Sequence, residues 1–172
     1  MGRKWVILGR IGALMPLMQM STPSKAYLAG NFRHLLDDKN RVTIPSPWRG
    51  LFEKGTSFLA IPNLGGYVSV LPPEEANKLY EKFAQVPLSD TAAQNDISVF
   101  MSGTQSFSFD SQGRIALSES LFGHAGLGGP KSEVVLVGGL NKFNIYNPTM
   151  WSQVEQESTT ASQRSVMQRF GI

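Results

Sequence analysis

At 172 residues the chain is long enough for one well-buried domain or two small ones packed together, and 41% apolar with 17% charged residues excludes a disordered chain. There is no cysteine, so disulfide frameworks and thiolate metal sites are excluded, and the two histidines, His34 and His124, show no ligand spacing; no cofactor is expected. The formal charge of +3 rests on Arg3, Lys4, Arg10 and Lys25, since from residue 26 onward 12 basic residues face 13 acidic ones. Bulk basicity therefore gives no support to nucleic-acid binding, which would need locally placed cations multiplied by assembly.

The first predicted element is an N-terminal extension, residues 1–26. Its apolar run from Trp5 to Met18 follows Arg3-Lys4 as in a signal peptide, but Arg10 interrupts it and Ser21–Ala26 makes a poor cleavage site. The run is also short of the roughly 20 apolar residues that a membrane span needs. The segment reads as a disordered extension or a start codon assigned too far upstream, with Met15, Met18 and Met20 available, and the protein as cytoplasmic without a membrane partner.

From Tyr27 to Leu36 the pattern alternates, with Leu28, Phe32, His34 and Leu36 on one face, which predicts a strand. Asp37–Asn40 reads as a turn and Arg41–Ile44 as a second strand closed by Pro45. Ser46-Pro47-Trp48-Arg49 supplies an N-cap serine and a proline at the first position of a short helix that Gly55 ends. Strands at Phe58–Ile61 and Tyr67–Leu71 are joined across Asn63-Leu64-Gly65-Gly66. Pro73-Glu74-Glu75 opens a helix with acids in its first turn, where the dipole favours them, and an apolar stripe of Leu79, Tyr80, Phe83 and Ala84. Ser89-Asp90 caps another helix running to about Met101.

The order then recurs. Gly103–Phe109 and Arg114–Leu117 flank a turn, a helix runs from Ser118 to near Gly126, and strands follow at Glu133–Val137 and Phe143–Tyr146. Asn147-Pro148 starts a C-terminal helix whose polar tail, Ser158 to Ser165, is expected to fray. Asp37-Asp38-Lys39-Asn40-Arg41-Val42-Thr43-Ile44 and Asp110-Ser111-Gln112-Gly113-Arg114-Ile115-Ala116-Leu117 are two copies of one element, and Gly30 and Gly103 share their offset (103−30 = 110−37 = 114−41 = 73). Tyr67 and Phe143, and Pro72 and Pro148, share another (143−67 = 148−72 = 76), so a three-residue insertion, placed in the Gly126–Pro130 loop, aligns the whole unit. The expected organisation is a first ββαββ unit over residues 27–74, connecting helices over 75–102, a second unit over 103–148 and a C-terminal helix and tail over 149–172.

The paired turn has a clear local logic. Its Asp accepts backbone N–H bonds as an Asx-turn, and its fourth position must tolerate positive φ, as Gly113 does freely and Asn40 does best among other residues. Two readings of the Arg remain open. It can pair with its own Asp and pin the turn, worth about 0–1 kcal/mol when exposed. It can also project from a sheet edge, where its planar fork holds a phosphate or a guanine edge.

The wider pattern resembles the MraZ family of transcriptional regulators. Gly30 and Asp37 through Pro45 resemble its first half. Asp110 through Ile115, His124-Ala125-Gly126-Leu127, Glu133 through Gly138 and Asn141-Lys142-Phe143 resemble its second, for a total match over about residues 27–155. The resemblance implies an α+β, β-rich fold: two SpoVT-AbrB-type units forming a swapped-hairpin, AbrB-like barrel. It implies a ring-shaped homo-oligomer, an octamer, that binds direct repeats of double-stranded DNA upstream of its own division and cell-wall gene cluster as a repressor, in the cytoplasm at the nucleoid. The DNA contacts carry over to Asp37, Lys39, Asn40 and Arg41 and to Asp110, Gln112, Gly113 and Arg114. The chain departs from the family where Asn40 replaces the usual glycine, Ser111 a common lysine and Ser118 a frequent proline. Turn two is thus the less basic, and Arg41 with Lys39 stands ahead of Arg114.

Other classes fit less well. The Gly126–Pro130 loop lacks the Lys-Ser/Thr of a P-loop, Gly138-Gly139 fits no dinucleotide fingerprint, and no nucleophile elbow surrounds any serine, so an enzyme is not expected. His124 at a helix C-terminus is explained by capping or by the dipole. A non-catalytic protein-interaction module on the same barrel is the alternative, for which Phe100, Phe107, Phe109 and Trp151 could serve, although core packing explains them as well.

Overall fold

A computed structural model describes residues 27–158 and 160–172; the expected extension over residues 1–26 lies outside the described residues. The strands are β1 (Asn31–Leu35), β2 (Arg41–Thr43), β3 (Phe58–Asn63), β4 (Tyr67–Leu71), β5 (Gln105–Phe107), β6 (Arg114–Ala116), β7 (Glu133–Gly138) and β8 (Phe143–Tyr146). The helices are α1 (Ser46–Arg49), α2 (Pro73–Ala84), α3 (Thr91–Ser102), α4 (Glu119–His124), α5 (Pro148–Glu157) and α6 (Thr160–Phe170). The fold is α+β, with antiparallel pairing in a six-stranded sheet of order β1-β7-β8-β4-β3-β5 and in a separate ribbon, β2-β6.

The two halves of the sequence interleave. β1 pairs with β7, β5 with β3, and β4 with β8, while Arg41, Val42 and Thr43 of β2 face Ala116, Ile115 and Arg114 of β6. The strands that flank each turn therefore do not pair with one another as an ordinary hairpin. β1 belongs to the large sheet and β2 to the ribbon, and the turn carries the chain between them.

Alternation selects the core as expected on β1, where Phe32 and His34 are half-buried and Asn31, Arg33 and Leu35 exposed. One core draws on both halves: Val42, Ile44 and Ile115 from the ribbon region, Phe58, Val68, Leu136, Phe143 and Ile145 from the sheet, and Trp48 and Leu121 from α1 and α4. Trp48 is sealed in; its Nε1 donates to Ala29 O at 2.8 Å, and its ring meets Phe32 edge-on at 5.1 Å and Phe143 at 5.2 Å. That burial holds in place a helix of four residues, too short to persist by itself.

Several helix boundaries differ from expectation. The N-cap of α1 is Pro45, not Ser46, whose hydroxyl accepts instead from Arg49 Nη2 at 2.8 Å; the helix stops at Arg49, well before Gly55. On α2 the apolar stripe divides: Ala76 is buried and Leu79 packs with Leu59 and Leu71, Phe83 turns to Phe100 of α3 at 5.6 Å, and Tyr80 and Ala84 are exposed. Asp90 caps α3 by accepting from Ala93 N, Ser118 caps α4 from Leu121 N, and Asn147 caps α5 from Met150 N. Where a fraying tail was expected, α6 forms, with Val166, Met167 and Phe170 exposed at helical spacing. The four aromatics named above do not form one stripe: Phe107 and Phe109 stack on Phe58, while Trp151 lies against Tyr146.

Candidate nucleic-acid interface

Both turns are built alike. Asp37 O accepts from Asn40 N at 3.0 Å and Asp37 Oδ1 from Lys39 N and Arg41 N at 2.8 and 2.9 Å. In the second copy Asp110 O accepts from Gly113 N, and Asp110 Oδ1 from Gln112 N and Arg114 N, all at 2.9 Å. Asn40 and Gly113 hold φ of 56° and 74°, the left-handed conformation their residue types predict. A carboxylate that collects two backbone N–H groups orders its turn without help from strand pairing.

The ribbon sets the two turns side by side. Pairing Thr43 with Arg114 and Arg41 with Ala116 brings residues 73 apart in sequence into one cluster. Each arginine gives its Nε to its own carboxylate, Arg41 to Asp37 Oδ2 at 2.7 Å and Arg114 to Asp110 Oδ2 at 2.8 Å. Longer contacts cross between the turns: Arg41 Nη1 to Asp110 Oδ2 at 4.0 Å, and Arg114 Nη1 to Asp37 Oδ2 at 3.7 Å. Arg114 is the more committed, with Nη2 also 2.8 Å from Asp110 Oδ2 and 22% of its side chain exposed, against 27% for Arg41. Among the described residues, the terminal nitrogens of Arg41 make no hydrogen bond.

The cluster of two aspartates and two arginines is neutral, and its carboxylates stay ionised. The backbone N–H of Arg41 chiefly draws the Asp37 carboxyl below its ordinary range, and the Arg114 side chain chiefly brings Asp110 down to about 2. The two arginine side chains are thus neither fully projected nor buried: each is braced by its own carboxylate and keeps part of its surface exposed.

Of the other candidate residues, Lys39 and Gln112 are exposed at the turn tips, Asn40 is half-buried and Gly113 is buried. The motif does not reveal Arg49. From the last turn of α1, in the first half, it crosses to turn two and donates from Nη1 to Gln112 O at 3.1 Å. The helix-end arginine after Ser46-Pro47-Trp48 was visible in the sequence, but its reach depends on tertiary pairing. Nearby, burial and then the Arg49 charge push the His34 pKa down. His124 ends α4 and donates from Nε2 to Asn63 O at 2.7 Å. Among the described residues no group of three or more His, Asp or Glu could hold a metal ion, and no helix is long and apolar enough to cross a membrane.

Comparison with known proteins places the chain in a family. Residues 100–170 match the family profile described as "MraZ protein, putative antitoxin-like". A protein of Natranaerobius thermophilus named transcriptional regulator MraZ is 35% identical over 133 residues, covering 77% of this chain and 89% of that protein. Proteins of the same name from Clostridium acetobutylicum and Lactobacillus johnsonii are 31% and 33% identical over 129 residues, covering 75% of this chain and 87% of each.

Proposed function

Because the chain belongs to the MraZ family, we propose that it is a DNA-binding transcriptional regulator whose recognition surface is the paired Asp-x-x-x-Arg turns. In this reading the interleaved strands form a swapped-hairpin barrel of two ββαββ units. The protein acts in the cytoplasm at the nucleoid, as a ring-shaped homo-oligomer, an octamer, that represses its own division and cell-wall gene cluster from direct repeats. It carries no catalytic step and no cofactor.

The observation that supports the reading best is the Asp37–Arg41–Asp110–Arg114 cluster, to which each half contributes one carboxylate and one guanidinium. Holding each arginine by Nε fixes the plane of the fork beforehand, so a phosphate or guanine edge meets an ordered donor pair and less side-chain entropy is lost on binding. Electrostatics set the limit. Because the cluster is neutral, one subunit binds weakly, and affinity arises when several copies engage successive DNA repeats, with avidity gains of order 10²–10⁴ where spacing matches.

A mobility-shift titration with the protein's own upstream region tests the reading. Salt-sensitive binding that Arg41→Ala abolishes is the expected result, and no binding at low salt overturns it. The second reading, a non-catalytic protein-interaction module, is favoured by the exposed Val166, Met167 and Phe170 on α6. Absence of DNA binding in that titration is the outcome it requires.

A further inference from the structure

The two turns differ in their cations although not in net charge, because Asp38 offsets Lys39 in turn one. Turn one carries Lys39, whereas Asp110, Ser111, Gln112 and Gly113 bring no cation to turn two. A cation reaches turn two from elsewhere. The Arg49 side chain lies directly over Gly113, so closely that a Cβ at 113 would fall 2.1 Å from Arg49 Cδ and 2.5 Å from its Nη1. Its Nη1 donates to Gln112 O at the turn tip and its Nη2 to Ser46 Oγ, which fixes the guanidinium against the turn. No carboxylate pairs with Arg49 among the described residues, in contrast to Arg41 and Arg114. Its Nε is buried without a hydrogen-bond partner, so its charge is among the least compensated near the cluster.

We infer that Arg49 is a third arginine of the DNA-contacting surface, a phosphate-binding cation that the first half of the chain lends to turn two. The inference rests on the DNA-binding reading of the turns. Phosphate is the matching ligand because Arg49 is anchored by neutral acceptors at the tip of the turn that carries Arg114, and has no carboxylate partner among the described residues. A contact of this kind adds affinity without sequence preference.

The test compares Arg49→Gln, Arg49→Met and Arg49→Lys with the wild-type protein. Gln keeps a donor for Gln112 O, Met keeps an apolar stem over Gly113, and Lys keeps the charge. Binding to a duplex of the protein's own upstream region, and to an unrelated duplex of equal length, is followed by fluorescence anisotropy across a salt series. Both neutral variants should flatten the plot of log affinity against log salt by about 0.9 for each engaged subunit, equally on the two duplexes, while Arg49→Lys keeps the wild-type slope. Circular dichroism selects the neutral variant that retains the fold, and either suffices. A neutral variant with the wild-type slope overturns the inference alone, as does equal weakening by Lys and Gln with no change of slope. A wild-type protein that binds neither duplex sinks the DNA-binding reading, and this inference with it.

Discussion

Asp37 and Asp110 each divide one carboxylate between two tasks, Oδ1 ordering the backbone of its turn and Oδ2 gripping a guanidinium. The consequence is testable by acid. Asp110 falls from an ordinary 3.8 to about 2, and a carboxylate with a depressed folded-state pKa stabilises fully above its unfolded value. That contribution is lost as pH falls through the folded value, so urea titrations should show an acid-dependent decline between pH of about 4 and about 2, which Asp110→Asn diminishes. An unchanged decline in the variant would refute this assignment. Gly113 and Asn40 make a second contrast. Gly113→Ala places an L-residue at φ 74° and drives its Cβ into Arg49, for a cost of about 1–2 kcal/mol or more in urea unfolding. Asn40→Gly should lie within about 0.5 kcal/mol of wild type, because the conformation suits glycine and the Asn40 Oδ1 atom is buried without a partner. The positive φ was legible in the sequence, since Asn and Gly exchange at equivalent places and only a backbone demand is common to both. The approach of Arg49 to Gln112 was not, because the two lie 63 residues apart and meet through strand pairing.

Among the elements, strands are more legible in the sequence than helix ends, for a physical reason. Alternation integrates over several residues, whereas a cap depends on one torsion and one hydrogen bond. Asp90, Ser118 and Asn147 were each placed at or beside a helix start, and each accepts the expected backbone N–H. Ser46 has the same chemistry but lies inside α1 after Pro45, and its hydroxyl is taken by Arg49. The polar composition of residues 158–165 hid α6, because the apolar positions that mark its helical period, Val166, Met167 and Phe170, lie beyond that window. The α1 element is the one most dependent on a single side chain. Trp48→Ala removes a fully buried ring, its contacts with Phe32 and Phe143 and its hydrogen bond to Ala29 O, and should cost about 3–5 kcal/mol in chemical denaturation. A loss below about 1 kcal/mol would mean that α1 is held by something else.

For the whole molecule, the α+β class is what the family resemblance implies, and the recurrent strands and short helices agree with it, but periodicity alone does not give the interleaving, since it says which face a strand buries and not which strand lies beside it. The same gap explains the arginines. In the sequence each arginine has its own Asp as the nearby partner, and the opposing turn's carboxylate enters only through the β2–β6 pairing. Because β1 needs β7 and β5 needs β3, neither half owns a complete sheet. Residues 27–102 expressed alone should therefore give no dispersed NMR spectrum, and mixing with residues 103–172 should restore one. A fragment of residues 27–102 that folds as a monomer would contradict the interleaved topology. The ribbon also acts as a ruler. The gap between Arg41 and Arg114 is set by strand register rather than by the helical connection over residues 75–102, so the part of that connection beyond Ala76 and Leu79, which pack on the sheet, is free to change over evolutionary time. Natural variation can accumulate there while the span between the two arginines stays constant.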